Sequence, residues 1–86
     1  MEFEFDENKS KANNDKHGID FIEAQELWND PDRIEIPTIC LDEPRYVLIA
    51  MIHNKYWAAI FTYRNKKIRL ISVRRTRKNE KEIYES

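Results

Sequence analysis

The spacing of apolar residues changes period along the chain, and each change predicts an element. Phe3 and Phe5 alternate with acids up to Asp6, which is the period-two pattern of a short half-buried strand. Asp6 is a good helix N-cap, and Glu7 puts an acid in the first turn. A helix is therefore predicted to about Lys16, with Lys9, Lys11 and Lys16 toward its carboxyl end and Gly18, the single glycine, closing it in a left-handed conformation. Its apolar stripe is thin, with Ala12 the main member. That composition suits a surface element presenting polar groups. Asp20 starts a second predicted helix and forms a capping box with Glu23. Phe21, Ala24, Leu27 and Trp28 share its core face until Asn29-Asp30-Pro31 stops it.

From Arg33 the period becomes that of strands. Ile34 and Ile36 alternate with polar residues up to Pro37, and Asp42-Glu43-Pro44 marks a turn. Arg45 to Ile52 is nearly continuous apolar, as in a central strand covered on both faces. His53-Asn54-Lys55 reads as a hairpin connection in which Asn54 supplies any positive φ. Tyr56–Tyr63 returns as a strand, Arg64 to Lys67 turns, and Ile68–Val73 is the last strand. Thr76 to Glu85 holds good helix formers, with Thr76 as cap and Ile83 and Tyr84 as anchors. The expected fold is one α+β domain over residues 1–86: a short N-terminal strand and two helices packed on an antiparallel sheet of about four strands, then a C-terminal helix. There is no internal repeat and no low-complexity linker.

Composition supports a folded domain and redistributes the charge. Hydrophobic residues make up 41% of the 86, enough for a small core, and charged residues 36%, well above the usual share of about 25%. The formal net charge of −1 argues against a polyanionic partner only until it is divided. Residues 1–45 carry 13 acids and 5 bases, and residues 46–86 carry 3 acids and 10 bases, giving halves of −8 and +7. Such asymmetry points to a basic binding face. The lone Cys40 has no partner for a disulfide or a thiolate zinc site, which fits a reducing cytoplasm. The acidic N-terminus is unlike a secretory signal, and no apolar run approaches the roughly 20 residues of a membrane helix.

Nine of the eighteen residues from Arg64 to Lys81 are basic: Arg64, Lys66, Lys67, Arg69, Arg74, Arg75, Arg77, Lys78 and Lys81. Strict alternation sets Ile68, Leu70, Ser72 and Arg74 on one face and Arg69, Ile71, Val73 and Arg75 on the other. Single members are expected to be solvated charges. Together with Tyr56, Trp57 and Tyr63 they suit nucleic acid, since phosphates need cations and bases need rings to stack on. His17, where a helix C-terminus favours its charged form, is a candidate acid, base or phosphate ligand, or simply a cap on the last carbonyls. His53 reads as a turn residue and Ser72 as a packing residue. The histidines and carboxylates lack the clustering of a metal site, and one glycine cannot build a phosphate loop. Neither metal nor cofactor is expected.

As a set, these residues resemble the BrnT family, toxins of type II toxin-antitoxin systems with a RelE-like ribonuclease fold. Asp6, Lys9, Asn13, Lys16-His17-Gly18, Phe21 and Ala24 look like the family's opening, with Asp30-Pro31 after them. Thr62, Arg64, Arg69, Ile71-Ser72, Arg74, Glu80 and Tyr84 stand at its later spacing. In the middle only Asp42-Glu43-Pro44-Arg45 matches well; sheet glycines of the family are absent, and an aromatic often seen as tryptophan is Phe5.

The resemblance implies an RNA endonuclease that inhibits translation and is neutralised by a BrnA-type antitoxin, the pair reaching promoter DNA through the antitoxin. Metal-free RNA cleavage needs a base for the 2′-hydroxyl, cations for the phosphorane and an acid for the departing 5′-oxygen. Arg64, Arg69 and Arg74 are expected to include the phosphate-stabilising residues. His17 leads for proton transfer, with Lys16, Glu80 and Tyr84 behind it. Lys16, Lys66, Lys67, Arg75, Arg77 and Lys78 are expected to bind RNA. Glu80 and Tyr84, four apart, could instead lock the last helix to the sheet through Arg69 or Arg74. The competing expectation is a noncatalytic nucleic-acid-binding module, or a degenerate toxin serving as a partner-binding scaffold. Glu23, Glu26, Asp30 and Asp32 are either a docking surface for basic antitoxin segments or a solvated face.

Overall fold

The computed structural model describes residues 2–38 and 43–86. The elements run β1 (Phe3–Glu4), α1 (Glu7–His17), a 3₁₀ helix (Glu23–Asn29), β2 (Ile34–Thr38), β3 (Arg45–Ile52), β4 (Lys55–Arg64), β5 (Lys67–Arg75) and α2 (Lys78–Glu85). Cys40 and the Asp42 end of the expected turn lie outside the described residues. The α+β class holds, but the sheet has five strands in the order β1-β5-β4-β3-β2 and is mixed. β1 pairs in parallel with β5, Phe3 opposite Ile68 and Glu4 opposite Arg69; β2 to β5 form an antiparallel meander.

Local chemistry explains the boundaries. The Asp6 carboxylate accepts from the N–H groups of Asn8 and Lys9 and caps α1, and Gly18 closes it at φ 79°. Asp20 likewise accepts from Ile22 and Glu23, but the helix it leads into is 3₁₀ rather than the α-helix expected. Phe21, Ala24 and Leu27 are all buried and spaced by three, and a three-residue turn stacks them in one ridge. The β3–β4 and β4–β5 turns are each two residues long with both residues at positive φ, His53-Asn54 (50° and 64°) and Asn65-Lys66 (52° and 65°). That is the type I′ arrangement, which matches the twist of the strands. The cap of α2 is Arg77 rather than Thr76: its N–H donates to the Glu80 carboxylate at 2.8 Å.

The core lies between one sheet face and the N-terminal helices. Phe61, Leu48, Leu70, Val73 and Ile68 meet Phe21, Leu27 and Trp28 there. Aromatic edges join the two layers, with Phe3 to Trp28 at 5.0 Å and Trp28 to Phe61 at 5.2 Å between ring centres. Ala12, expected to face inward, is exposed. α1 instead buries Ser10 and Asn13. The Ser10 hydroxyl accepts from Phe21 N–H. The Asn13 amide donates to the carbonyls of Ile19 and Val73 and accepts from Val73 N–H. β1 pairs with β5 at Ile68 and Arg69, and beyond it one side-chain amide satisfies the edge at Val73 as a further strand would.

Candidate active site

The register of β4 and β5 decides where the basic residues point. Ile60 pairs with Ser72 but Phe61 with Leu70, so Ile71 is an extra residue, a β-bulge. The bulge resets the alternation: Leu70 and Val73, three apart, both enter the core. Arg74 is thereby moved to the face carrying Arg69, correcting the expectation from strict alternation. Opposite partners share a face. The rungs Arg64–Lys67, Thr62–Arg69, Ile60–Ser72 and Ala58–Arg74 thus form a seam on the sheet face away from the core. Six residues of β4 separate its ends, about 20 Å at the usual rise, so Arg64 and Arg74 stand at opposite ends of the seam.

Each seam cation stands beside a carboxylate. Arg64 lies 3.4 Å from Glu43, Lys67 3.7 Å from Glu2 and Arg69 3.8 Å from Glu4. Arg74 differs: both its terminal nitrogens bond Glu80, at 2.8 and 2.9 Å, with side chains only 22% and 13% exposed. The Glu80 hydrogen bonds raise the pKa of Arg74, and those of Arg74 hold the Glu80 carboxyl below its ordinary value.

This pair is one of three polar fastenings of α2 among the described residues. The Tyr84 hydroxyl donates to Asp30 at 2.8 Å, and the same carboxylate oxygen accepts from Met51 N–H. Burial first, then the Asp30 hydrogen bond, pushes the Tyr84 phenol up to about 12. Tyr56 sits edge-on to Tyr84 at 5.3 Å and donates to Glu85. Ile83, expected as an anchor, is 40% exposed. Glu80 and Tyr84 therefore do tie the helix to the rest of the fold, Glu80 through Arg74 and Tyr84 through Asp30.

The remaining candidates are dispersed. His17 ends α1, half-buried, one helical turn beyond Asn13, with Lys16 exposed beside it. Lys66 lies in the β4–β5 turn, and Arg77 and Lys78 begin α2, all exposed. Arg75 pairs with Trp57 on the opposite face, its guanidinium 5.4 Å from the centre of that ring. Trp57 is 7% exposed, which leaves it no surface for stacking a base. Tyr63 bonds Glu35 and packs on Phe61 and Tyr46, also on the core side.

Two further residues of the seam face were not singled out by the sequence. Glu4 is Arg69's rung partner. Arg45 precedes Tyr46, whose ring stacks on Phe61 in the core layer, so Arg45 projects to the seam face. Alternation between Phe3 and Phe5 already signals this for Glu4. For Arg45, a strand read as covered on both faces hid it.

The chain was compared with known protein families. Residues 5–80 match the family described as the ribonuclease toxin, BrnT, of type II toxin-antitoxin systems. The chain belongs to the BrnT family. Comparison with curated proteins gives no match. The BrnT match runs from Phe5, before the Asp6 cap, through the β3–β4 and β4–β5 hairpins to Glu80. Membership makes this a ribonuclease toxin of a type II system, whose counterpart is a protein antitoxin. Among the described residues, no helix is long and apolar enough to cross a membrane.

Proposed function

We propose that this BrnT-family toxin is a metal-independent, cytoplasmic endoribonuclease that cuts RNA by attack of a 2′-hydroxyl on its neighbouring phosphate, so arresting translation. A BrnA-type antitoxin holds it inactive, and the pair meets promoter DNA through the antitoxin. The observation that carries the reading is the bulge, which aligns Arg64, Lys67, Arg69 and Arg74 on one face. Guanidinium forks match phosphate oxygens and stay charged at any working pH, which suits stabilisation of a phosphorane without a metal. Arg64, Arg69 and Arg74 contact successive parts of the backbone. Lys16, Lys66, Lys67, Arg77 and Lys78 add longer-range attraction, and Arg75 contributes from the other face.

Among the proton-transfer candidates, Glu80 already accepts from Arg74 and Arg77, and Tyr84 donates to Asp30. Those contacts leave His17, with Lys16 beside it, as the side chain to test. The experiment is induction of wild type, Arg69→Ala and His17→Ala in bacteria, reading growth arrest and 5′-hydroxyl ends on cellular RNA. The purified chain is assayed in parallel with excess chelator. Arrest and cleavage by wild type that persist in chelator and fall at least tenfold in Arg69→Ala support the reading. Salt-sensitive RNA binding without any cleavage refutes it in favour of a noncatalytic binder.

A further inference from the structure

The seam face carries one row that crosses the sheet. Glu4 on β1 stands opposite Arg69 on β5, Arg69 opposite Thr62 on β4, and Arg45 opposite Thr38 at the start of β3. The Thr62 hydroxyl donates to the carbonyl of Pro44, beside Arg45, joining the two halves of the row. Two enclosed side-chain polar atoms have no hydrogen-bond partner among the described residues, Glu4 Oε1 and Arg45 Nε, and both belong to this row. Arg69 stands 3.8 Å from Glu4 Oε1, too far for a hydrogen bond. Enclosed groups of this kind are normally satisfied, and an orphan calls for an explanation, a catalytic role or a bound ion among them.

We infer that Arg45, Thr62, Arg69 and Glu4 form the scissile-phosphate site, with the two arginines gripping the phosphate over Thr62 and Glu4 acting as the base. The inference deepens the ribonuclease reading and rests on it. Arg45 and Arg69 are two strands apart, about 10 Å between backbones. Side chains of that length, leaning inward over the small Thr62, can meet at one phosphate. Thr62 contributes a floor rather than a contact, since its hydroxyl is engaged with Pro44. Arg74, fastened to Glu80, is not needed for the grip.

Glu4 lies on the next strand from Arg69, which places an acceptor beside the held phosphate. The 2′-oxygen forms a bond to phosphorus while its proton passes to Glu4. The P–O5′ bond breaks with its electron pair on the 5′-oxygen, which takes a proton from water. The products are a 2′,3′-cyclic phosphate and a 5′-hydroxyl, and the hydroxide left from that water removes the proton from Glu4.

The test uses the purified full chain with a labelled mixed-sequence RNA for cutting and its all-2′-deoxy counterpart for binding. Glu4→Gln, Arg45→Ala, Arg69→Ala, His17→Ala and the exposed hairpin control Lys55→Ala are compared, with melting temperatures checking the fold. Glu4→Gln is expected to bind the deoxy strand like wild type and to cut at least 100-fold more slowly. It should also lose the acid limb of the rate-against-pH curve, and Glu4→Asp should restore part of the rate. Arg45→Ala and Arg69→Ala are each expected to weaken binding and cutting at least tenfold, unlike Lys55→Ala. Cutting by Glu4→Gln within threefold of wild type overturns the base, and so does loss of the acid limb in His17→Ala alone. Unchanged binding and cutting in Arg45→Ala overturns the grip. If wild type leaves the RNA whole, the ribonuclease reading itself fails and the site falls with it.

Discussion

Replacing Asn13 by alanine should cost far more than a mid-helix polar residue normally does. The side chain is buried and makes three hydrogen bonds to backbone, at 2.8 Å to Ile19 C=O, 2.9 Å to Val73 C=O and 3.0 Å from Val73 N–H. Alanine removes all three and leaves the Val73 edge of β5 without a partner. An orphaned buried group costs about 1–3 kcal/mol, the donor more than the carbonyls. The summed loss is about 3–4 kcal/mol, against a total stability of roughly 5–15 kcal/mol for a domain of this size. It corresponds to a fall of roughly 15–25 °C in Tm.

Urea unfolding followed by tryptophan fluorescence measures this directly, with an unchanged m-value showing that the end states are the same. Asn13→Asp sharpens the test. It keeps the acceptor for Val73 N–H but sets a carboxylate against two carbonyl oxygens. At neutral pH it should lose at least as much as alanine, and at acid pH, where a protonated carboxyl can donate once, it should recover part of the loss. A deficit below about 1 kcal/mol in Asn13→Ala would show that the sheet edge does not depend on this amide.

Two predictions concern pH. The Glu80 carboxyl is held low first by the Arg74 hydrogen bonds. For Asp30, burial alone works the other way, but donation from Asp32 and Met51 N–H and the Tyr84 hydroxyl outweighs it and the pKa is lowered. Both contributions are complete above the ordinary carboxylate values and are lost as pH falls through the depressed ones. α2 amides should therefore lose hydrogen-exchange protection in acid before β4 does, and equal protection at about pH 3 would contradict this. At the alkaline end, Tyr63 and Tyr84 are both pushed up to about 12, chiefly by burial and then by bonds to Glu35 and Asp30. Their stabilisation is present below about pH 10 and fades as pH rises toward about 12. Phenolate absorbance should show a late phase that Tyr84→Phe reduces, and a single phase near about pH 10 would be inconsistent with these contacts.

What could be read from the chain was what neighbours in sequence decide. Asp6 and Gly18 bound α1 because caps act over three or four residues, and His53-Asn54 turns the chain because the strands flanking it end there. The two features that shape the site depend on contacts far along the chain. Ile71 is a bulge only because Phe61 and Ile60 choose Leu70 and Ser72 as partners, and nothing in the run from Ile68 to Arg75 announces it. Asn13 looks like a solvated helix residue until Val73, sixty residues on, presents an unpaired edge. The pairing of β1 with β5 is equally non-local, and it alone brings Glu4 beside Arg69.

That pairing also changes the meaning of the charge split. Three of the four carboxylates beside the seam cations, Glu2, Glu4 and Glu43, come from the acidic half, so the fold lays the two halves against each other residue by residue. Exposed pairs of this kind contribute about 0–1 kcal/mol each. A phosphate can displace the carboxylate from Arg64 or Lys67 at little cost, whereas the doubly bonded, less exposed Arg74–Glu80 pair resists exchange. Exchange with an anion is therefore easiest at the Arg64–Lys67 end of the seam, while the Arg74–Glu80 pair holds α2 in place. Displacing a tethered carboxylate also releases no counterion from the protein. Salt should then weaken RNA binding through the ions released from RNA alone, and the internal acids make loose binding to any polyanion weaker than ten bases in one half would suggest.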